Sequence, residues 1–491
     1  MKPLWHFRPN PRWYDARPMT ASRRVFAVAA VLLVAAVVSA YLPYVGVGFK
    51  QDDFGWIASS RVRHGSDWIA LLGRDTGFYR PAVAATFALD ELAFGMRPLG
   101  YGLTNLVLAL GCLAAIAGLG RSLGLARGAA LAAGAVWALN FQGINMAIVW
   151  TSGRTALLLV LFASLAARAS VRHHTAAAAL FTLLAMLSKE EAIALPVVLF
   201  AWAALADGHR GRGSEIGGER APRFAVRAAL KETWPLAIPL VLYLSLRATS
   251  GAFGPLSAPV YYRPTLAPLT ILDNAAKYLD FAATWPAAVV LLASAVAAVV
   301  PRPGLPQTRV ILLGVAWLAG GYAITLFLPI RSPLYACFPS VGTSLAAAAL
   351  LEAAWSRSTE RGRTRLVAAG LVLPFLLLPV YWSRNVRHAK GAQLSARWLN
   401  DLQAAGLNPG PEQVLVLQDD PRLPPTDRLP AAFGSLYEVA LRDTLGHPVR
   451  AWIEPPPDGW ELSGIQPPDP AAPRVVFALR NGHLVRVAPE K

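Results

Sequence analysis

Up to residue 383 the chain is a succession of apolar runs separated by short polar segments. A bilayer crossing needs about 20 predominantly apolar residues at ~1.5 Å rise per residue. Runs of that character, some shorter, lie near 25–45, 99–119, 128–139, 151–167, 175–188, 191–206, 233–249, 280–300, 309–328, 333–354 and 366–383. They predict an all-α polytopic membrane bundle of about 11 transmembrane helices. From 384 to 491 the pattern changes to short alternating blocks. "EQVLVLQ" (412–418), "HPVRAWI" (447–453) and "PRVVFAL" (473–479) read as strands, and "GSLYEVALRDTL" (434–445) as an amphipathic helix, with "PRLPP" and "EPPPDGW" as turns. This predicts a small soluble α/β domain at the C-terminal end.

Composition agrees. Of 491 residues, 55% are hydrophobic and only 15% charged, where soluble domains carry roughly 25% charge. Cys112 and Cys337 both fall inside apolar runs and read as small core residues. The net charge of +17 would suit nucleic acid, but its distribution does not. Residues 384–491 contain twelve Lys/Arg and twelve Asp/Glu, so the whole excess lies before them. It concentrates in the arm 1–24, in 207–232 and in 356–365, with arginines also in 121–127, 168–174 and 301–309. Alternating the spans puts all of these on one side, the cytoplasmic one by the positive-inside rule, and nucleic acid is not an expected partner. The arm can face anionic lipid. The small residues "VSA" at 38–40 offer a signal-peptide reading, but the arm and the apolar run are long, which favours a retained anchor. The same alternation places the loop 46–98 and the domain 384–491 outside.

That outer loop holds the first candidate chemistry. "FKQDDFGWI" puts Asp52 and Asp53 side by side where the chain leaves the first span, followed by short helical blocks and a helix over "PAVAATFALDELAFG" (81–95). One reading is a capped helix start. The other is a general base beside a neighbour that tunes its pKa. "FYRPAV" places Tyr79 and Arg80, "WTSGRTALL" Arg154, "LSKEEA" Lys189 and Glu190, and "LPIRSPLYACFPSVG" Arg331 and Tyr335 on the same outer face. Each alone is explained by snorkelling or by an aromatic belt. Together with two acids they suit transfer from a phosphate leaving group. There is no P-loop, no Rossmann glycine pattern and no internal repeat.

In order and spacing, "QDDFGWI", "FYRPAVAATFALDELAFGMRPLGYGLTNLVLAL", "WTSGRTALL", "LSKEEAIALP" and "RSPLYACFPSVG" resemble the GT-C superfamily of polytopic glycosyltransferases. The likeness is strongest to the transmembrane module of the tetratricopeptide-containing O-mannosyltransferases and their bacterial relatives, and it covers roughly residues 25–385. The resemblance implies a hexosyltransferase of mannosyltransferase-like type that uses a polyprenyl-phosphate sugar donor on the outer face of a bacterial plasma membrane. It implies Asp52 as base with Asp53 beside it, and Arg80, Arg154, Lys189 and Arg331 on the donor phosphate. Tyr79, Asn105, Glu190 and Tyr335 would support them. No firm cofactor is implied, although a divalent metal at Asp53 is compatible. The hydroxyl acceptor, whether protein, lipid or glycan, stays open.

The chain also departs from the pattern. Gly102 stands three residues before Asn105 where many relatives have His, Ile144-Asn145-Met146-Ala147 replaces a His-Thr-Glu-Ala stretch, position 156 is Ala, and tetratricopeptide repeats are lacking. Two alternatives follow. A transporter or flippase of lipid-linked glycans predicts ionisable groups in mid-span and inverted repeats. An inactive GT-C-like scaffold predicts a lost site.

Overall fold

The structure is a computed structural model that describes residues 23–73, 77–211, 221–254, 257–410, 412–456, 467–469 and 471–487, without the side chains of 23, 205–211 and 221–225. The basic arm 1–22, residues 212–220 of the basic loop 207–232 and the turn after Pro456 lie outside the described residues.

All eleven apolar runs fall in helices. In an apolar solvent this is forced, because every backbone N–H and C=O must be satisfied within the segment. Five helices are long and apolar enough to cross a membrane: Arg24–Tyr44, Pro98–Ser122, Thr151–Val171, Pro268–Ala297 and Glu360–Ala404. The expected count of about 11 is therefore not reached by length and composition among the described residues. Arg127–Ala138 shows why. Its 12 residues give a rod of about 18 Å, short of the ~30 Å hydrocarbon thickness.

Large apolar side chains remain on the outside, among them Val28, Val31, Leu269, Leu272 and Leu291, as a lipid-facing surface requires. Inside, small residues let helices approach. A Cβ on Gly314 of Leu305–Tyr322 would lie 2.4 Å from the Gly342 carbonyl of Pro339–Arg357, and the reverse is equally close. Packing of this kind replaces the hydrophobic drive that lipid removes.

The C-terminal part is a four-stranded sheet in the order β2-β1-β3-β4. β1 (Val414–Gln418) runs parallel to β2 (Arg450–Glu454) and β3 (Arg474–Arg480), and β4 (His483–Arg486) pairs antiparallel with β3. β1 is central and its first four residues are buried, which explains its unbroken apolar sequence. The helix Tyr437–Leu445 makes the crossover between β1 and β2.

Bundle and sheet are tied by one continuous helix, Leu378–Ala404, which runs straight through position 384. They also share a core. Phe49, Phe54, Trp56, Ile57, Val83 and Phe87 of the outer loop pack in one cluster with Trp398, Leu415, Phe433 and Trp452.

Candidate active site

The two acids begin the helix Asp52–Ser60, and the residue before them is unusual. Gln51 has φ 47°, ψ −123°, a region costly for a side chain bearing a Cβ. Two contacts hold it there: its backbone N–H donates to the Ala432 carbonyl at 2.8 Å and its side-chain amide to the Ala431 carbonyl at 3.1 Å. Lys50, one step earlier, donates from Nζ to the His388 carbonyl at 2.7 Å. The acid pair is thus hung from the long helix and from the helix Leu429–Phe433 of the C-terminal part.

Adjacent helical residues point about 100° apart, and this separates the acids. Asp53 is buried at 1% exposure. Its Oδ1 accepts from the Ser152 N–H at 2.7 Å and from the Ser152 hydroxyl, and its Oδ2 accepts from the Lys50 N–H at 2.9 Å. Burial pushes its carboxyl up to about 6, against these donors and the Lys50 charge, which pull it down. Asp52 keeps an exposed surface, on the helix face shared by Trp56 and Ser59. Protein still surrounds it closely enough that desolvation raises its carboxyl, opposed by Arg80 and Lys50. The capped-start reading fails in detail, because no side chain caps the helix at Gln51 and neither acid occupies that position.

Arg80 precedes Pro81, the first residue of the helix Pro81–Phe94, and lies outside helical backbone at φ −137°, ψ 57°. Its Nε and Nη2 donate to both oxygens of Glu190, with Nη2 at 2.7 Å, and its guanidinium lies 4.3 Å from the Phe78 ring centre. Glu190 has a second cation, Arg247, at 3.5 Å. Tyr262 packs on Phe78 at 5.3 Å. Burial pushes its phenol up to about 12, with Arg80 lowering and Asp52 raising it. Asp52, Arg80, Glu190, Arg247 and Tyr262 therefore form one charged cluster.

Other expected site residues are placed differently. Arg154 has no exposed surface. Its Nη2 is 2.5 Å from Asp90, its Nε donates to Asn105 Oδ1 at 3.1 Å, and the Phe87 ring lies 4.2 Å away. Asn105 in turn donates to the carbonyls of Trp150 and Thr151 at 3.0 and 3.2 Å. This network fixes the turn that presents Ser152 to Asp53; Arg154 joins it through Nε and Nη2, while its Nη1 is buried without a hydrogen-bond partner among the described residues. Lys189 is also buried; it pairs with Glu191 at 2.6 Å and lies 4.9 Å from the Tyr335 ring. Arg331 is accessible and pairs with Asp273 at 2.5 Å. The segment beside it is tied to the tyrosine turn by Ile330 N–H to Tyr261 O at 3.3 Å. Tyr79 is buried, and its hydroxyl has no hydrogen-bond partner among the described residues.

Lys50, Arg247 and Tyr262 are the site residues that sequence reasoning missed. Lys50 adjoins the acids, Arg247 stands just before the loop 250–270, and the "YYRP" tyrosines lie within that loop, which has almost no positive charge. Those were the available signals. Gly102 finds a physical reason, since a Cβ there would lie 2.6 Å from the Gly46 nitrogen and no His would fit. For a metal, no group of three His, Cys, Asp or Glu side chains gathers among the described residues. Both Asp53 oxygens already accept from protein donors, so these residues do not fit a cation site.

No known family model and no curated protein matches the chain. Among solved structures it is similar to ArnT from Cupriavidus metallidurans bound to undecaprenyl phosphate, at 12% identity over 93% of this chain and 92% of that one, TM-score 0.48. It is also similar to the Archaeoglobus fulgidus oligosaccharyltransferase tethered with an acceptor peptide, at 11% identity over 83% of this chain, TM-score 0.43. A third is the archaeal oligosaccharyltransferase AglB from Archaeoglobus fulgidus in complex with an inhibitory peptide and a dolichol-phosphate, at 12% identity over 87% of this chain, TM-score 0.40. The chain spans 62% and 64% of those two archaeal chains. TM-scores this low leave its function to be read from its own side chains.

Proposed function

We propose that the chain is an inverting glycosyltransferase that moves a sugar from a polyprenyl-phosphate donor to a hydroxyl acceptor on the outer face of the membrane. The observation that carries this is the division of labour between the acids: Asp52 is accessible beside Arg80, while Asp53 is fixed by Ser152 and Lys50. In this reading Asp52 accepts the acceptor hydroxyl proton as the oxygen bonds to the anomeric carbon. The bond from that carbon to the phosphate oxygen breaks with its electrons going to the phosphate, and the centre inverts. Glu190 occupies Nε and Nη2 of Arg80, which orients the guanidinium and leaves Nη1 for the departing phosphate. Arg247, and Arg331 at the rim, add positive charge where it develops. Arg154, Asn105, Asp90 and Lys189 are assigned a positioning role, and Tyr79 and Tyr335 shape the walls.

A hexose, mannose-like in type, as the transferred sugar rests on the sequence resemblance alone. So does placement in a bacterial plasma membrane, whereas the cytoplasmic N-terminus rests on the distribution of basic residues between the loops. The transporter alternative asks for charges in mid-span, whereas Arg154 stands at the first turn of its helix Arg154–Val171. The test uses purified protein in liposomes with radiolabelled polyprenyl-phosphate hexose, undecaprenyl as the first lipid. Transfer or sugar release by the wild type that disappears in Asp52→Asn while donor binding persists supports the proposal. Full activity in Asp52→Asn overturns the base assignment, and binding without turnover across a broad panel overturns the enzyme.

A further inference from the structure

The opposite end of the bundle carries a groove that this reaction does not use. The helix Trp285–Ala297 ends at Ala298, left-handed at φ 53°, and the chain turns there toward the helix Leu305–Tyr322. Ala298, Val299, Val300, Arg302 and Arg357 line an open cavity of about 440 Å³. Arg302 comes from the turn and Arg357 from the last turn of Pro339–Arg357. Both are exposed, and among the described residues neither is paired with a carboxylate.

Two further features favour an anion. Three of the helix-end carbonyls that would repel one already accept hydrogen bonds: Ala298 N–H donates to Ala295 O, Val299 N–H to Ser294 O, and Ser358 N–H to Trp355 O. The helix Glu360–Leu376 begins against the same wall, since a Cβ on its Gly362 would lie 3.3 Å from the Ala297 carbonyl, and the amino end of a helix is positive. One wall is apolar, with Val300 at 74% exposure. The groove lies at the ends of two candidate spans, Pro268–Ala297 and Glu360–Ala404. Basic pockets between span ends suit lipid headgroups.

We propose that this groove binds a phosphate-bearing anion, held by Arg302 and Arg357, and that its source is the headgroup of an anionic phospholipid whose chains run down the apolar wall. The charge pattern assigns this end to the cytoplasm, and the site is independent of the reaction proposed for the outer face.

The experiment reconstitutes the full chain in nanodiscs of phosphatidylcholine with added phosphatidylglycerol, and counts the anionic lipids retained on release by native mass spectrometry. A double variant, Arg302→Ala/Arg357→Ala, is compared with a control that removes two exposed arginines of the same face, Arg127→Ala/Arg172→Ala. Loss of a retained phosphatidylglycerol in the first variant and not in the control supports the site. Equal retention in all three proteins overturns it, as does equal loss in both variants, which would mark a general surface field. A second arm measures the thermal shift with inorganic phosphate in detergent. Stabilisation by phosphate that depends on Arg302 and Arg357, with no selective lipid retention, overturns the lipid source.

Discussion

Asp52 and Asp53 show how two identical neighbours acquire different chemistry. Asp52→Asn removes a proton acceptor and is expected to lower turnover by about 10²–10⁴-fold with donor binding retained, as kcat against KM will show. For Asp53 the expectation concerns pH. Its folded-state carboxyl is raised to about 6, above the unfolded value of about 3.9. Between those values the folded protein binds more protons than the unfolded chain, so this residue's contribution to stability falls as pH rises through the window. Turnover should move the other way, because protonation removes an acceptor from Ser152 or Lys50 and frees the turn. The wild type should therefore lose turnover below about pH 6. Relative to Asp53→Asn, it should gain thermal stability from pH 7 to pH 4.5. Parallel melts and rate profiles of both proteins check the signs; a difference in melting temperature that does not change with pH would refute the assignment.

At the scale of elements, the apolar runs and the helix at 81–95 were legible because their periodicity is a local property. Three strands were legible as well. β4 was missed although its signal stands in the sequence: Asn481-Gly482, at φ 52° and 80°, is a hairpin turn pair that returns the chain antiparallel to β3. What was not legible is the pairing of distant side chains. Arg80 meets Glu190 across 110 positions, and Asp53 meets Ser152 across 99. Nothing in "KEE" tells that Glu190 faces Arg80 while Glu191 takes Lys189. The joint between the outer loop and the C-terminal helices is of the same kind. Arg61 Nη1 donates to Asp443 Oδ1 at 2.9 Å, with the aspartate side chain at 1% exposure. Among the described residues Arg61→Ala leaves that buried carboxylate only Arg442 at 3.4 Å, and a lost hydrogen bond to a charged group costs about 1.5–3 kcal/mol. A lower melting temperature, with faster hydrogen exchange in Tyr437–Leu445, is the expected outcome, and Asp443→Asn in the same background should restore part of it.

At the scale of the whole molecule, composition divides the chain at 384, where the excess of positive charge ends, yet the fold does not divide there. The long helix crosses that point, and the outer loop buries its aromatic side chains against the sheet. The C-terminal part therefore packs against the outer loop and holds the backbone of Gln51 beside the acid pair. Deleting residues 405–491 would leave Phe54, Trp56 and Trp398 without Phe433 and the β1 strand, and would remove the carbonyls of Ala431 and Ala432 that hold Gln51 in its strained turn. Apolar surface of that size costs about 25 cal/mol per Å² when returned to water, and the strained residue would relax. The truncated chain should lose donor turnover as well as transfer, although Asp52 and Arg80 remain in it. The backbone amide of Gln51 should exchange its hydrogen far faster than in the intact protein. A detachable acceptor module would behave otherwise: sugar release from the donor would persist, Gln51 would stay protected, and adding residues 405–491 in trans would restore transfer. Comparing donor release and Gln51 exchange in the intact and truncated chains separates the two outcomes.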